Sequence, residues 1–592
     1  MRNKFLPIST DDLRERGWEE LDVILITGDA YVDHPSYGAA IIGRVLEDAG
    51  FKAGIIAQPD WRHSDDFLKL GRPRLFFGIT AGNLDSILSN YTANKSIRKK
   101  DDYSPGGNIG LRPNRAAIVY ANKVKELFPD TPIVLGGIEA SLRRLAHYDY
   151  WSDSVRRSIL IDSKADLLVY GMGEKQAIET AIRLSDGRKI KDLDNIRGTV
   201  AVRNNISGLT DYVIIPSFEE VASDKDKFIE AFKIIYLEND PFKGKTVIQK
   251  YGDRFIIQYP PVLPLTTKEL DRVYSLNFAR DWHPIYDKAK GVPGFETVRN
   301  SIISHRGCCG ECSFCSLGFH QGRIIQSRSP ESILREIKLL ADSKDFKGTI
   351  TDIGGPTANL YGAKCKSWEA NGACKYKKCL TPTKCKNLQL GYREALKLLR
   401  DALKIPKVKH VFIGSGVRYD LLVDRYSDEY LKELCKHHIS GRLKVAPEHT
   451  VDYILELMNK PAFKTYEAFC KKFRDINKAL NKKQYLVNYF ITSHPGSDLE
   501  TALKMALYLA ERRLRPEQIQ DFIPLPMTVS GCMYWANKHP FTGEKLYVAK
   551  DVKEKRMERA LIQYSQPKNR RLVSEALRSL NKLNLEKVLL KA

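Results

Sequence analysis

The residues with the clearest chemical potential are three cysteines spaced as CxxxCxxC within one short stretch. Cys308, Cys312 and Cys315 stand in the run CCGECSFC, and the next cysteine along the chain is Cys365. An iron–sulfur cube normally takes four cysteine ligands. A loop that supplies three of them leaves one iron with an open coordination position, as catalytic metal sites do when they bind a substrate directly. The spacing therefore predicts a [4Fe–4S] cluster with one iron free to bind a small molecule.

An open iron of this kind is what radical S-adenosylmethionine (SAM) chemistry requires. The free iron would chelate the amino and carboxylate groups of SAM, and an electron from the cluster would cleave the sulfonium to a 5′-deoxyadenosyl radical. A zinc loop is the alternative, but zinc usually takes four ligands in two pairs. Cys309 breaks the spacing and is interpreted as a small buried hydrophobic residue, as are the isolated Cys435, Cys470 and Cys532. Phe314 is expected to shield the cluster or to pack in the core.

A second group of cysteines lies in the lysine-rich segment 363–388. Its spacing, Cx8Cx4Cx5C, gives a complete set of four ligands but is not the paired CxxC of common zinc folds. An auxiliary [4Fe–4S] cluster is the leading interpretation, and a structural zinc ion or unliganded thiols are the alternatives. The segment has few apolar residues, so a metal would be needed to order it. Its cysteines are Cys365, Cys374, Cys379 and Cys385.

Composition indicates a multidomain globular protein of a reducing compartment. The chain has 592 residues, of which 43% are hydrophobic, and its 11 cysteines are clustered as metal ligands are rather than spread in pairs. The N-terminal stretch has charges of both signs and no apolar segment, and no later stretch is long enough to cross a bilayer. The expected location is the cytoplasm, without a membrane partner.

The net charge of +23 fits either a nucleic-acid partner such as RNA or simply a lysine-rich surface. The lysines are scattered and no nucleic-acid-binding motif accompanies them, which favours a solvated surface. The C-terminal segment 541–592 is predicted to be a basic helical extension, which would pack on the protein rather than contact RNA.

The first part of the chain alternates short apolar runs with segments of helical periodicity. This pattern predicts a doubly wound parallel sheet in a Rossmann-like α/β domain at 1–190. Glycine-containing loops at 27–29, 136–139 and 171–174 would meet at the carboxyl edge of that sheet and line a ligand or substrate crevice, although no GxGxxG or P-loop is present. The segment 191–297 is interpreted as a linker or subdomain, because its β-like runs are broken by prolines.

The βα alternation resumes in 298–540, with 363–388 as an insertion. Six strand-like runs, starting with the one that leads to Cys308, are each followed by a loop and a helical segment. Parallel βα units place their active site at the carboxyl ends of the strands, so these loops should face one cavity. The expected architecture is a (β/α)6 partial barrel.

Residues 298 to about 535 resemble the radical SAM barrel, and nearly the whole chain resembles the YgiQ family of radical SAM proteins. The resemblance is carried by the stretches GDAYVDHPSYGAAIIGRVLE, GGIEASLRR, CCGECSFCSLGFHQGR, DIGGPTANLYG, VAPEHT and HPFTGEK. It implies a [4Fe–4S] cluster on Cys308, Cys312 and Cys315, bound SAM, and a reducing protein such as flavodoxin or ferredoxin. It does not imply a substrate, and modification of RNA or of a metabolite fits equally.

The same resemblance implies a set of SAM-binding residues. Gly354 and Gly355 match the first two positions of the family's GGE motif, whose backbone and glutamate hold the methionine amino group, but Pro356 replaces the glutamate. The groups expected to bind the ribose and carboxylate of SAM come from later strand-end loops. They are Ser415, Arg418 and Glu448.

The N-terminal sheet also resembles the cobalamin-binding domain of one class of radical SAM methylases. The DxHxxG motif that supplies the lower cobalt ligand is missing, because Asp33, His34 and Gly38 have a different spacing. Cobalamin is therefore not favoured. The alternative to a radical SAM enzyme is an iron–sulfur or zinc protein that binds nucleic acid without radical catalysis.

Overall fold

A computed structural model describes residues 4–591 and divides the chain into two compact units. The first unit contains the residues up to 299 together with Phe319–Gly322 and Ala370–Ala373. The second contains Asn300–Gly318, Arg323–Glu369 and the residues from Cys374 onwards. Between residues 4 and 591, no helix is both long and apolar enough to span a membrane.

The first unit is built on a nine-stranded sheet. Its parallel part is formed by buried apolar runs such as Val23–Thr27, which pairs in register with Ala53–Ala57 on one side and Phe76–Thr80 on the other. Strands covered on both faces by helices are apolar throughout, which is why these runs are legible in the sequence. From edge to edge the strands are Tyr212–Ile215, Thr246–Tyr251, Arg254–Gln258, Thr199–Arg203, Leu167–Val169, Ile133–Gly136, Phe76–Thr80, Val23–Thr27 and Ala53–Ala57.

The five parallel strands of residues 23–169 have the order 2-1-3-4-5, which is a doubly wound arrangement. The predicted α/β fold class is therefore confirmed. The helices of this unit are Thr10–Glu15, Gly38–Asp48, Asp65–Leu68, Ser86–Asn90, Ala116–Leu127, Gly137–Leu142, Ile159–Ser163, Glu174–Ser185, Phe218–Ser223, Lys225–Glu238, Thr267–Tyr274 and Pro293–Val298.

The segment 191–297 contributes four strands to the same sheet. Thr199–Arg203 runs antiparallel to its neighbours, and Arg254–Gln258 pairs antiparallel on both sides. The prolines that suggested a linker, Pro260, Pro261 and Pro264, lie beyond the end of the last of these strands. They end the sheet instead of interrupting it, since proline cannot donate to a ladder of hydrogen bonds.

The second unit contains the six predicted βα repeats. Parallel pairs join Ser301–Ile303 to Asp352–Gly354 and Thr349–Ile350 to His410–Val411, while the remaining three strands form one parallel sheet. A hydrogen bond of 3.0 Å from Ile413 N to His438 O connects the two halves. The barrel strands are Ser301–Ile303, Thr349–Ile350 with Asp352–Gly354, His410–Val411, Arg442–Glu448, Tyr485–Thr492 and Gln518–Asp521.

Amphipathic helices cover these strands. Pro330–Ala341 begins with Ser329 as its N-cap and buries Ile333, Ile337 and Leu340 in the core around the strands. At the C-terminal end, Val552–Ile562 packs on Leu499–Glu511 in a separate apolar cluster. The residues of two short helices, Leu317–His320 and Lys366–Asn371, are divided between the two units. The other helices of this unit are Pro330–Ala341, Tyr392–Ala402, Asp428–Glu433, Asp452–Leu457, Phe463–Ala479, Leu499–Glu511, Val529–Ala536, Val552–Ile562, Arg570–Ser579 and Glu586–Lys591.

Candidate functional site

The cysteine loop follows the first barrel strand and is fixed by contacts from other strand-end segments. The side-chain amide of Asn459 donates to the carbonyl oxygens of Gly310 and Glu311 at 3.2 and 2.8 Å. Ser530, from the segment after the sixth barrel strand, donates its backbone N–H to Ser313 O at 2.9 Å. Segments far apart in sequence therefore meet at this loop, as the parallel βα pattern predicts.

The three loop thiols are close enough to affect one another's ionisation. Burial raises the pKa of Cys308, and the neighbouring Cys312 raises it further. The same two causes raise the pKa of Cys315 to about 12. Thiols that resist ionisation when alone become thiolates when a metal cation neutralises them. This donor set, three sulfurs at one partly buried place, fits an iron–sulfur cluster.

Within residues 4–591, no three His, Cys, Asp or Glu side chains converge as they would on one metal ion. In a [4Fe–4S] cube each thiolate binds a different iron, so the ligands of a cube need not converge on one ion.

Arg418 is the predicted SAM-site residue that reaches the cysteine loop. Its buried guanidinium donates from Nη1 to Cys312 Sγ at 3.7 Å and from Nη2 to Asp420 Oδ2 at 2.9 Å. Gly310 permits this approach, because a Cβ atom there would collide with the guanidinium. Arg418 therefore places a fixed positive charge beside the loop sulfurs, held in position by Asp420.

Gly354 and Gly355 end the second barrel strand beside the start of the cysteine-loop segment. The carbonyl of Gly354 accepts hydrogen bonds from Ser304 N at 2.7 Å and from Ser304 Oγ at 2.9 Å. A Cβ at Gly355 would lie 2.7 Å from His305 Cε1, so the chain passes too close to this ring for any other residue. Burial lowers the pKa of His305 to about 4, and its Nε2 atom is buried without a hydrogen-bond partner.

Ser415 lies in the loop after the third barrel strand and is bound to an acidic residue of the second. Its Oγ and its backbone N–H donate to Asp352 Oδ1 at 3.2 and 3.1 Å, and Gly414 N donates to the same oxygen at 2.8 Å. Burial raises the pKa of Asp352. Asp352 is not selected from the sequence, although it begins the stretch DIGGPTANLYG, because the motif in that stretch is placed on Gly354 and Gly355.

Glu448 ends the fourth barrel strand in a left-handed conformation with φ of 68°. Lys460 Nζ lies 3.5 Å from Glu448 Oε1, and both side chains are buried. Burial raises the pKa of Glu448, and the ammonium of Lys460 opposes that rise. Lys460 also lies 5.8 Å from the ring centre of Tyr419. Sequence reasoning missed Lys460, since a lone lysine after a helix carries no signal.

The fifth and sixth strand-end segments contribute a buried histidine near the loop. His494 Nε2 lies 2.6 Å from Ser530 Oγ, and the ring of Phe314 approaches His494 edge-on with centroids 6.4 Å apart. Burial lowers the pKa of His494 to about 3, so its imidazole is neutral at physiological pH. Phe314 thus packs beside the cysteine loop against a ring from another strand end.

At the carboxyl edge of the first unit's sheet lies a small pocket, lined in part by Thr27, Asp29, Tyr37 and Asn83. Asp29 accepts from Arg112 Nη1 and from Asn83 N, both at 2.7 Å, and burial raises the pKa of Asp29.

His34, whose spacing does not match the cobalt-ligand motif, is buried in the same unit, and within the described part of the chain its Nε2 atom has no hydrogen-bond partner. Its Nδ1 accepts from Ser36 N at 3.2 Å, and its buried ring meets Phe295 edge-on at 5.7 Å.

Comparison with known proteins places both units in one family. The radical SAM N-terminal family matches residues 5–301, the radical SAM superfamily matches 302–509, and a domain of unknown function matches 517–585. A UPF0313 protein of Clostridium botulinum is 55% identical over 573 residues, which is 97% of this chain and 89% of the relative. The chain belongs to the UPF0313 family of radical SAM proteins, the YgiQ family. A UPF0313 protein of Methanosarcina acetivorans is 51% identical over 608 residues, 98% of this chain and 81% of the relative.

Two solved structures are similar to this chain at low sequence identity. The radical SAM methyltransferase TsrM of Kitasatospora setae, solved with cobalamin and a [4Fe–4S] cluster, has a TM-score of 0.49 and 15% identity over 86% of this chain and 73% of its own. The cobalamin-dependent radical SAM enzyme OxsB, solved with aqua-cobalamin, has a TM-score of 0.47 and 12% identity over 97% of this chain and 62% of its own.

Membership of this family makes the chain a radical SAM enzyme. The radical SAM domain implies a [4Fe–4S] cluster and SAM as cofactors. The alternative of a metal protein that binds nucleic acid without catalysis is not favoured. The family's own names assign no substrate.

Proposed function

We propose that Cys308, Cys312 and Cys315 hold the catalytic [4Fe–4S] cluster and that SAM binds at the iron they leave open. The observation that carries this proposal is the position of the three thiols. They share one loop after the first barrel strand, where segments from the later strands converge, and they lie inside the range matched by the radical SAM superfamily. When bound, the cluster supplies the electron that cleaves the SAM sulfonium.

Arg418 has a charge role in this proposal. A cluster with several thiolate ligands is negatively charged, and a guanidinium 3.7 Å from the Cys312 sulfur stabilises that charge in a partly buried place. Asp420 prevents the guanidinium from rotating away, because it receives two of its N–H groups. Arg418 would therefore make the reduced cluster easier to form and would remain in place whether or not SAM is bound.

We assign the SAM-binding groups from their charge and from the hydrogen bonds that their atoms already make within the protein. The Gly354 carbonyl already accepts two hydrogen bonds from Ser304, so we assign the methionine amino group to the backbone carbonyl of Gly355 and to nearby acidic side chains. Glu448 would accept a hydrogen bond from a ribose hydroxyl, and Lys460 would pair with the SAM carboxylate. Ser415 would contribute its hydroxyl from the neighbouring loop.

The substrate class and the cellular setting extend this proposal. We place the enzyme in the cytoplasm with a small reducing protein such as flavodoxin or ferredoxin, and the catalytic domain at 298–540. The net charge of +23 keeps RNA among the candidate substrates beside metabolites. Cobalamin is not favoured in this proposal, because the spacing of Asp33, His34 and Gly38 does not match the motif that supplies the lower cobalt ligand.

The decisive experiment measures SAM cleavage. Anaerobically reconstituted protein, reduced with dithionite, should convert SAM to 5′-deoxyadenosine. Replacing Cys308, Cys312 or Cys315 with alanine should abolish both the reducible cluster and this product. The matched control is Cys309→Ala, which should retain both. A Cys309 variant as inactive as the other three would contradict the ligand assignment, and SAM binding without any 5′-deoxyadenosine would favour the non-catalytic alternative.

RNA is tested separately by the salt dependence of binding. A polyanion that displaces counterions from many lysines binds with an affinity that falls steeply as salt rises. If binding to bulk transfer RNA is weak and does not change between 50 and 200 mM salt, RNA is removed from the candidate substrates. The next experiment is then an untargeted comparison of metabolites in cells with and without the gene.

A further inference from the structure

The lysine-rich insertion 363–388 places its four cysteines in one region, although among residues 4–591 no three of them converge on a single metal ion. Cys365 stands in a short strand and pairs antiparallel with Leu388 near the end of the insertion. Cys385 donates its backbone N–H to Cys379 O at 2.8 Å, which closes a tight loop between these two. Cys374 interacts electrostatically with each of the other three. Residues spread over twenty-one positions of sequence are thus neighbours in space.

Charge in this insertion suits a cluster of thiolates. The segment 363–388 contains seven lysines and a single acidic residue, Glu369. Four thiolates bound to iron or zinc retain a net negative charge, and nearby ammonium groups stabilise it. Without such a negative centre, so many lysines within a short segment would repel one another. The lysines are Lys364, Lys366, Lys375, Lys377, Lys378, Lys384 and Lys386.

Apolar packing anchors the insertion to the barrel but leaves its centre to the cysteines. Trp368 and Leu380 are buried in the barrel core, and Cys365, Cys379 and Cys385 pack partly buried against the same core. Tyr376, the largest aromatic residue between the second and third cysteines, is 86% exposed. A segment with so little apolar content needs an additional cross-link to hold one conformation, and a metal bound by four thiolates supplies one.

The insertion is connected directly to the loop of the catalytic cluster. Cys309, which is 1% exposed, lies in the core against which Cys379 also packs. Lys378 Nζ lies 3.0 Å from Glu311 Oε1, and Arg323 holds the same carboxylate oxygen at 3.1 Å. The surplus cysteine of the loop is therefore buried as expected, in a core that it shares with a cysteine of the insertion.

We propose that Cys365, Cys374, Cys379 and Cys385 bind a second [4Fe–4S] cluster, and that Cys309 donates a hydrogen bond to its Cys379 ligand. The number of thiolates is complete, the surrounding charge is positive, and the spacing lacks the paired CxxC of structural zinc. A thiol donor to a ligand sulfur adjusts the reduction potential of a cluster and fixes the ligand's orientation. Cys309 is a positioning residue in this arrangement, adjacent in sequence to a catalytic-cluster ligand.

Metal analysis of three anaerobically reconstituted proteins tests the second cluster. They are the unchanged chain, the triple variant C308A/C312A/C315A, and the quadruple variant C365A/C374A/C379A/C385A. Each variant should contain half of the iron and sulfide of the unchanged chain, and the triple variant should still give the optical and paramagnetic signals of one reducible cluster. Cys470→Ala, a cysteine outside both groups, should leave the iron content unchanged.

Three results would overturn the proposal: no loss of iron in the quadruple variant, stoichiometric zinc in the unchanged chain, or metal-free thiols in the triple variant. If the quadruple variant does not fold, Cys374→Ser replaces the exposed cysteine of the set and should by itself reduce the iron content or perturb the second signal. A wrong assignment of the catalytic cluster would give a different result. The triple variant would then keep the full iron content of the unchanged chain and would still cleave SAM.

The role of Cys309 is tested by potentiometry of the second cluster. Cys309→Ala removes the donor to Cys379, so the reduction potential should shift to a more negative value, because hydrogen bonds to cluster sulfurs favour the reduced form. Cys309→Ser keeps a donor of similar size and should retain most of the original potential. Equal potentials in the unchanged chain and the alanine variant would refute the proposed hydrogen bond.

Discussion

A buried carboxyl group of the helix Val552–Ile562 should make the stability of the second unit depend on pH near neutrality. Glu558 accepts hydrogen bonds from Ser493 N and Ser497 Oγ, both at 3.0 Å, in the loop after the fifth barrel strand. Burial raises the pKa of Glu558 from 4.5 to about 7. Its Oε1 atom is buried without a hydrogen-bond partner. The folded protein thus holds this carboxyl in its protonated form up to neutral pH.

The sign and size of the effect follow from the two pKa values. Between pH 4.5 and about 7 the unfolded chain releases the proton of Glu558, whereas the folded chain keeps it. The folded state binds more protons in this range, so the free energy of unfolding falls as pH rises. The two pKa values differ by about 2.5, which corresponds to roughly 3 kcal/mol in the free energy of unfolding. This stabilisation is fully lost above pH ~7.

The substitution Glu558→Gln removes the titration and keeps the shape of the side chain. The free energy of unfolding, measured anaerobically from urea transitions, should differ by less than about 1 kcal/mol between variant and unchanged chain at pH 5, and the variant should be more stable by about 3 kcal/mol at pH 8. Glu517→Gln is the control, because its side chain is 76% exposed, and it should show no such pH dependence. A variant that is destabilised equally at both pH values would refute the reasoning.

Three further predictions concern the candidate site. Arg418→Gln should make the reduction potential of the catalytic cluster more negative and lower the rate of 5′-deoxyadenosine formation, and an unchanged potential would remove its charge role. Gly355→Ala should lower the melting temperature and weaken SAM binding, because the Cβ would collide with the imidazole beside it, whereas Gly38→Ala has open space and should do neither. Lys460→Met should destabilise the protein by about 3 kcal/mol by leaving the buried Glu448 carboxylate unpaired, and adding Glu448→Gln should restore most of that loss in urea unfolding.

The elements that the sequence predicts well are those whose local pattern and tertiary environment agree. The apolar run 23–26 predicts a buried strand, which is observed as Val23–Thr27, because helices cover both faces of its sheet. The helical periodicity of residues 37–49 predicts a helix, which is observed as Gly38–Asp48 and packs on the strands Val23–Thr27 and Ala53–Ala57. In the barrel, Pro330–Ala341 begins where Pro330 can occupy the first turn without losing a hydrogen bond.

The strands of 191–297 show where such reasoning fails. Tyr212–Ile215 is a partly exposed edge strand, and its sequence alone does not say which strand it joins. Pairing across a sheet is decided by the packing of whole elements, which short apolar runs near prolines do not reveal. For the same reason, Lys460 and His305 could not be selected from the sequence. Each of them contacts a residue that comes from another part of the chain.

In the cysteine loop, the CxxxCxxC spacing is informative for three cysteines but not for Cys309. Cys309 falls outside CxxxCxxC, and the spacing rule treats it as an apolar filler. Side chains of adjacent residues on an extended loop point in different directions, so Cys308 and Cys309 can face different partners. Cys309 lies in the core against which Cys379 packs, whereas the guanidinium of Arg418 lies at the sulfur of Cys312. Two adjacent cysteines allow one loop to perform two tasks. Cys308 can bind one cluster while Cys309 contacts a cysteine of the other.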